Sequence, residues 1–353
     1  MYSAPSRALR RVLHVIGLAL FRLGLARRII ALRKRSLRVL LYHAVEDQET
    51  PFTAGLSVSV SKAMFDANLS YFKEYYNVVD VSDIYSSALP DNALAITIDD
   101  GYRSVYENAL PLLSKHQLPA CVYLNTCAVE GRLIWVNELS WALVTHPKEA
   151  LAICHQFPGL SDTDSRLEII DRIKREFAPA EIRELRKRLQ EAIAVVDNHK
   201  LYADEAELEE MKQSGIKLGF HTRDHYNLTN CDKGELANQL DSSSLKGLID
   251  PSSFAYPFGE FNDQSIAQMD ASDYSNVMTV GCNNDRFSNK HVDRLEVFSD
   301  DPAVVFAKIE LEEAVVAAIR RLKFKLRSIF DSKANSGVNT TQSVDRRAGA
   351  AHD

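Results

Sequence analysis

Along most of the chain, short apolar runs alternate with segments whose apolar residues recur at helical spacing. The apolar runs predict buried strands at 37–42, 78–81, 94–98, 120–124, 216–220, 253–256, 277–280 and 293–297. Helices are predicted between them, for example after an N-cap at Ser61 and from Glu107 to His116. Strands that alternate with helices are typical of a parallel sheet covered by helices, so the pattern predicts an α/β fold.

Residues 130–212 break this alternation. Their helical patterns, rich in Arg, Glu, Leu and Ile, predict a mainly helical insertion long enough to form a cap or subdomain. After the last predicted strand, a helical tract at 301–330 is acidic early and basic late, as the helix dipole favours. Residues 331–353 are polar and poor in apolar side chains, so they are predicted to be disordered.

Residues 1–36 are predicted to form a basic amphipathic segment. Arginines and one lysine are interleaved with Leu, Ile and Val, and no acidic residue occurs. Such a helix could lie on an anionic membrane surface, dock on a partner, or pack on its own domain, and an uncleaved anchor is a further alternative. The apolar run from Val12 to Phe21 is too short to span a bilayer, and no signal-peptide cleavage site follows it.

The composition fits one large or two ordinary domains with a sizeable core. The chain has 353 residues, of which 46% are hydrophobic and 25% charged. A net charge of −6 gives no indication of a nucleic-acid partner. The five cysteines form no CxxC pair and their number is odd, which fits a reducing compartment. We therefore predict a cytoplasmic protein, peripheral at the inner membrane face if its basic ends bind lipid.

The first candidate chemical groups follow the strand at 94–98. Asp99 and Asp100 are adjacent, and Gly101 permits a backbone bend that would aim the two carboxylates at different tasks. Two adjacent acids repel each other, so ionising both requires a cation or a strong donor nearby. The alternative is an ordinary Asp-Gly turn with solvated acids.

A pair of histidines follows the strand at 216–220. His221 and His225 are four residues apart, and with Asp100 they make the two-histidine, one-carboxylate set typical of hydrolytic metal centres. Asp99 would then be placed to accept a proton from water activated by the metal. Both pairs follow apolar strands, and α/β proteins place their active sites at such strand ends. A purely structural histidine pair is the alternative.

Three segments, in the right order, carry a family resemblance. Thr97-Ile-Asp-Asp-Gly101 is similar to T-F-D-D-G, His221-Thr-Arg-Asp-His225 matches H-[ST]-x-x-H, and Ala255-Tyr-Pro-Phe-Gly259 is similar to R-x-P-Y-G. These motifs resemble those of the NodB-type polysaccharide deacetylases, the family-four carbohydrate esterases. Residues 40–43 and 293–297 resemble flanking strands of members encoded with surface-glycan genes, so the resemblance covers residues 37–300.

The resemblance implies a distorted (β/α) barrel with fewer than eight repeats, carrying here the helical insertion at 130–212. It implies hydrolysis of a sugar acetamide in a surface polysaccharide or lipid-linked glycan, which releases acetate and leaves a free amine. The metal would be Zn²⁺ most commonly, with Co²⁺ or Mn²⁺ accepted by some members.

The resemblance also implies roles for individual residues. Asp99 would be the general base, and the backbone N–H of Phe258 would stabilise the oxyanion. Metal ligands would be Asp100, His221 and His225. Positions supporting the site or the substrate would be Thr222, Tyr256 and Pro257.

Two departures from the family pattern affect the expected chemistry. Ala255 replaces the arginine that would orient the base, and Arg294 could substitute for it or could form a surface ion pair. The terminal L-x-H motif that supplies the general acid is not evident, because Leu295 is followed by Glu296 and Val297. The acid that protonates the leaving amine is therefore unassigned.

Two more histidines lie near the predicted site in the sequence. His43 ends the first predicted strand and is expected to point toward the site, although a role in the core is equally compatible. His291 follows Ser288, Asn289 and Lys290 and is expected in a surface loop.

The sequence thus predicts a metal-dependent carbohydrate N-deacetylase acting on an acetylated glycan. The alternatives are a glycan-binding pseudoenzyme of the same fold and an enzyme that cleaves another C–N bond, such as a formamide. The complete set of two aspartates and two histidines argues against the pseudoenzyme, because a pure binder needs no base beside a metal. The basic ends favour a substrate at a membrane surface.

Overall fold

The computed structural model describes residues 7–34, 36–193, 201–280 and 290–312, with residues 314, 315 and 318 beyond them. The predicted tail at 331–353 and half of the predicted helix at 301–330 lie outside the described residues. The strands β1 to β10 are Arg38–Tyr42, Ala44–Val45, Ser59–Val60, Asn77–Val78, Ala93–Asp99, Cys121–Leu124, Lys217–Phe220, Ser253–Ala255, Asn276–Val280 and His291–Glu296.

Parallel strands close into a barrel. In space, β1, β10, β9, β8, β7, β6 and β5 are successive neighbours, and β5 pairs again with β1. β4 lies beside the first residues of β5, and β2 pairs separately with β3. Seven of the described strands therefore form the ring, one fewer than in a regular (β/α) barrel. The predicted α/β fold with a distorted barrel is confirmed.

Helices surround this ring and fill the insertion. The α-helices α1 to α13 are Arg7–Arg22, Ala26–Leu32, Lys62–Tyr75, Leu110–His116, Thr126–Val129, Trp135–Thr145, Pro147–Cys154, Arg166–Glu176, Pro179–Ala192, Glu205–Gln213, Lys233–Gln239, Asp263–Asp270 and Pro302–Phe306. Wider π-helical turns precede α4 and follow α13, at Val105–Ala109 and Ala307–Glu312. Within the predicted insertion, α6 to α9 pack against one another, whereas α10 packs beside β7.

Strand alternation decides which side chains point into the barrel. Ile98 belongs to the large core beneath the helices, whereas Ala95 belongs to a small separate cluster together with Val292 of β10. Successive side chains on a strand point to opposite faces. Asp99 therefore points to the same side as Ala95, and Arg294 to the same side as Val292, so both face the barrel interior.

The N-terminal segment packs on the domain as two helices joined by a turn at Gly24, whose φ is +72°. Gly17 of α1 lies so close to Ala307 that a Cβ on the glycine would be 2.4 Å from the Ala307 Cβ. The ring of Phe21 packs on that of Phe306, with centroids 5.7 Å apart. Of the interpretations open at the sequence level, packing on the domain is therefore present in the structure.

A buried carboxylate joins the end of the described chain to the first barrel strand. Glu310 accepts hydrogen bonds from Arg38 Nε at 2.9 Å and Nη2 at 3.0 Å, and from the Tyr76 hydroxyl at 3.0 Å. Arg33 of the N-terminal segment donates to the same carboxylate at 2.9 Å. In the part of the chain that the structure describes, no helix is both long and apolar enough to cross a membrane.

Candidate active site and metal centre

Asp99, the last residue of β5, is paired with an arginine from β10. Arg294 Nη1 donates to Asp99 Oδ1 and Nη2 donates to Oδ2, each over 2.7 Å, and both side chains are buried. Such a two-pronged pair fixes the plane of the carboxylate as well as its charge. Arg294 therefore lies inside the barrel on the candidate base and not in a surface ion pair.

This pairing determines the charge on Asp99. Burial alone would raise its pKa, but the charge of Arg294 and its hydrogen bonds lower the pKa below its usual value. Burial also lowers the pKa of His221. At neutral pH the site thus holds an ionised carboxylate beside a neutral imidazole, the forms required of a base and of a metal ligand.

The backbone turns sharply after Asp99. Asp100 has a φ of +73° and Gly101 a φ of +68°, which direct the second carboxylate away from the strand. A Cβ on Gly101 would lie 2.7 Å from a methyl carbon of Leu124, so glycine is needed there for space as well as for conformation. The bend thus involves Asp100 itself and not Gly101 alone.

Three further non-glycine residues near this turn have the same unusual backbone conformation. Thr222, His225 and Phe258 have φ values of +69°, +56° and +59°. Each such residue typically costs about 1–3 kcal/mol and persists only where its surroundings enforce it. Their concentration here, together with Asp100, indicates that these positions are fixed for function.

Three ligand atoms converge beside Asp99. Asp100 Oδ1 lies 3.6 Å from His221 Nε2 and 3.4 Å from His225 Nε2, and all three side chains are buried. Ligands about 2.0–2.1 Å from one tetrahedral zinc ion lie about 3.4 Å from each other. His221 Nδ1 donates to the Ala255 carbonyl over 2.7 Å, so its Nε2 carries a lone pair that faces the carboxylate.

The surroundings of the Asp100 carboxylate also indicate a bound cation. Among the described residues, none forms a hydrogen bond with its buried Oδ1. Burial and then the Asp99 charge raise the pKa of Asp100 to about 8. A buried carboxylate that faces the lone pair of His221 Nε2 and the ring of His225 is unfavourable without a positive charge between them. The residues present therefore fit a divalent metal ion with ligands Asp100, His221 and His225.

The two histidines lie in a loop after β7 that neighbouring elements hold in place. Thr222 Oγ1 accepts a hydrogen bond from the His225 N–H at 3.2 Å. Trp135 of α6 donates its indole N–H to the His225 carbonyl at 2.9 Å, and the Asn125 amide donates to the His221 carbonyl. Thr222 is among the positions that the sequence predicts, whereas Trp135 and Asn125 are not, because they come from distant parts of the chain.

Phe258 lies on the opposite wall. Its ring packs edge-on against His225, with centroids 4.5 Å apart. Among the described residues, none accepts a hydrogen bond from its backbone N–H. Phe258 also lines the cavity, so its backbone N–H is a candidate donor to a developing oxyanion.

Comparisons with known proteins agree with this geometry. The family described as "Polysaccharide deacetylase" matches residues 86–277, more than half of the chain. This chain belongs to the polysaccharide deacetylase family. The predicted family and the predicted carbohydrate deacetylase activity are thereby confirmed. A search of curated proteins gave no match.

Solved structures of deacetylases share the fold. The Streptococcus pyogenes deacetylase PplD in complex with acetate is 17% identical, with a TM-score of 0.52 over 77% of this chain and 97% of that chain. The putative polysaccharide deacetylase BA0330 from Bacillus anthracis is 18% identical, with a TM-score of 0.51 over 77% of this chain and 68% of that chain.

The insertion of this deacetylase reaches into the candidate site. Asp99 and the three candidate ligands line a cavity of about 380 Å³, to which α8 contributes Leu167, Ile170, Asp171 and Lys174. The Lys174 ammonium lies 4.4 Å from the centre of the Phe258 ring, and burial lowers its pKa. The sequence does not predict that Lys174 lines the cavity, because the charge pattern of α8 is that of an ordinary solvated helix.

The remaining predicted positions of the family motifs separate into two groups. Phe258 and Gly259 line the cavity, whereas Tyr256 and Pro257 are buried behind them and suit a supporting position. The Tyr256 ring stacks on His291, with centroids 5.9 Å apart. The prediction of a surface loop at His291 is wrong, because pairing with Val277 makes it the first residue of β10.

Two further titratable residues, His43 and Glu296, also line the cavity of this deacetylase. His43 follows β1, and Glu296 ends β10 on the inward side set by Arg294. Burial lowers the pKa of His43, while the charges of Asp99 and Glu296 act to raise it. His43 thus lines the cavity and lies in the electrostatic field of two carboxylates.

Proposed function

We propose that this protein is a metal-dependent N-deacetylase that hydrolyses the acetamide of a sugar in a surface polysaccharide or lipid-linked glycan. The supporting observation is the arrangement of Asp100, His221 and His225 around one point, beside an ionised Asp99. Zn²⁺ suits two imidazoles and a carboxylate best, and Co²⁺ or Mn²⁺ could replace it. We propose no nucleic-acid partner.

The proposed reaction uses the chain's own groups as follows. A bound divalent ion would polarise the acetamide carbonyl and lower the pKa of the attacking water. Asp99, held by Arg294, accepts a proton from that water. The Phe258 N–H donates to the carbonyl oxygen as negative charge develops there, a contact whose loss typically costs about 3 kcal/mol of activation free energy. Acetate and the protonated sugar amine are the products.

Metal removal tests this proposal directly. We expect the purified protein to carry one divalent ion per chain, and we expect chelation to abolish acetate release from N-acetylated oligosaccharides. Zinc, cobalt or manganese should restore the activity. Asp100→Asn should lose both the metal and the activity, because it removes the anionic ligand. Elemental analysis and an acetate assay measure these effects.

The same assay distinguishes the competing functions. Full activity of the metal-free protein would contradict the proposed metal dependence. Metal and glycan binding without acetate release would instead indicate a pseudoenzyme. Faster release of formate than of acetate from matched N-formyl and N-acetyl sugars would indicate a deformylase.

We propose that His43 delivers the proton to the leaving amine. Burial lowers its pKa, so the ring must first take up the proton released from the attacking water, and the charges of Asp99 and Glu296 favour its protonated form. His43→Gln should lower kcat on an N-acetyl sugar by about 10²-fold or more, the range of general acid catalysis. The loss should be much smaller on an activated aryl acetate, because that leaving group needs no proton. His116→Gln is the matched control, since His116 pairs with Asp66 away from the cavity. An equal loss on both substrates would contradict the assignment.

A further inference from the structure

The outward face of α1 is apolar and exposed. Ala8, Val12, Val15, Ile16 and Ala19 are all exposed, and the three larger side chains are 55%, 65% and 44% accessible. At about 100° per residue, these five positions fall within about 100° of arc on the helix. They form a single stripe, here called the outer stripe.

The opposite face of the same helix is already occupied. Gly17 lies against Ala307, and His14 pairs with Glu312 over 2.9 Å. A helix held on its protein by one face normally turns polar residues toward solvent on the other. α1 instead presents a second apolar face, which is typical of a helix that has another surface to contact.

The charged residues of the helix that carries the outer stripe are all basic. Arg11 and Arg22 are exposed and lie beside it on the helix. Residues 7–34 contain no acidic side chain, although the whole chain has a net charge of −6. The basic residues of this region are Arg7, Arg10, Arg11, Arg22, Arg27, Arg28, Arg33 and Lys34, of which Arg27, Arg33 and Lys34 pair with Glu74, Glu310 and Asp91. An apolar stripe bordered by arginines is complementary to a lipid surface with anionic headgroups.

This helix also adjoins the candidate active site. Arg10 and His14 of α1 line a second cavity of about 430 Å³ together with Arg294 and Glu296 of β10. Arg294 and Glu296 line the catalytic cavity as well. The helix that carries the outer stripe is therefore close to the cavity in which a glycan would react, and it adjoins that region through its opposite face.

We propose that α1 docks this protein on an anionic membrane surface. The outer stripe inserts among the lipid headgroups, and the bordering arginines contact lipid phosphates. The helix stays attached to the barrel through Gly17 and its neighbours, so docking holds the catalytic domain at the bilayer. This proposal does not depend on the deacetylase chemistry, although it favours a substrate anchored in or near the membrane.

Vesicle flotation with the full-length chain tests the docking proposal. We expect binding to vesicles that contain phosphatidylglycerol, little binding to pure phosphatidylcholine, and a loss of binding at high salt. Val15→Glu and Val12→Glu should each weaken binding at least tenfold. Tyr85→Glu is the matched control, because Tyr85 is 48% exposed and distant in the sequence from α1. Arg11→Gln combined with Arg22→Gln should reduce the preference for anionic lipid.

Four results would overturn the proposal. The first is absence of wild-type binding to the vesicles. The second is binding that Val15→Glu and Val12→Glu leave unchanged. The third is a dimer in analytical ultracentrifugation that those variants dissociate. The fourth is a fall in melting temperature with Val15→Glu but not with Tyr85→Glu, which would mean that the chain itself covers the stripe. Unchanged melting temperatures and unchanged acetate release from a soluble glycan, with binding lost, would support docking.

Discussion

Replacing Asp99 by Asn is expected to lower kcat for acetate release by about 10²–10⁴-fold, the contribution typical of a general base. The amide keeps the shape of the carboxylate and can still accept a hydrogen bond from Arg294, but it cannot take a proton from water. Metal content should remain at the wild-type level, because Asp99 pairs with Arg294 and is not one of the three converging ligands. Acetate release and elemental analysis on the same preparation measure both effects.

The contrast with Asp100→Asn makes this experiment specific. Both variants remove one buried carboxylate from adjacent positions, but Asp100→Asn should lose the metal as well as the activity. If Asp99→Asn instead lost the metal and kept its activity after metal was added back, the roles of the two residues would be exchanged. Undiminished acetate release by Asp99→Asn would contradict any role as base.

The fold and the centre of the site could be predicted from the sequence for one physical reason. Buried parallel strands are apolar along their whole length, so the polar residues at their carboxyl ends are conspicuous. Asp99, Asp100 and His221 stand at such ends, and barrel closure brings these ends together whatever the details of packing.

Other parts of the site depend on contacts that a linear pattern does not reveal. Arg294 reaches Asp99 across β1, which lies between β10 and β5, so the pair requires the closed ring. Lys174 comes from an insertion helix whose surface pattern is ordinary. Gly17 and Ala307 are in close contact although they are about 290 positions apart in the sequence, and no local sequence pattern predicts this contact.

The closure of the ring also explains the departure from the family motif at Ala255. The arginine expected at that position would come from β8, whereas here Arg294 comes from β10 and reaches the same carboxylate. Its guanidinium is buried, so removing either partner would leave the charge of the other buried without compensation. The consequences of removing it therefore extend to stability and to pH dependence.

Arg294→Gln is expected to move the acidic limb of the kcat/KM profile to higher pH. Burial raises the pKa of Asp99 and the Arg294 charge is the main influence that lowers it, so losing the arginine lets the pKa rise. The variant should therefore be most impaired below neutral pH and should recover part of its activity as pH increases. Arg294→Lys keeps the charge without the two-pronged geometry, so its limb should stay near the wild-type position while kcat falls.

The Arg294→Gln substitution should also reverse the direction in which the free energy of unfolding depends on pH. In the wild type the pKa of Asp99 is depressed, so its pairing stabilises the fold above the unfolded-state pKa and is lost as pH falls through the lower folded-state value. In Arg294→Gln the folded-state pKa is raised, so stability should instead decline as pH rises and the unpaired carboxylate ionises. Near neutral pH we expect a loss of about 3–5 kcal/mol in the free energy of unfolding, measured by urea denaturation. A stability difference that stayed constant between acidic and neutral pH would show that Arg294 acts through packing alone.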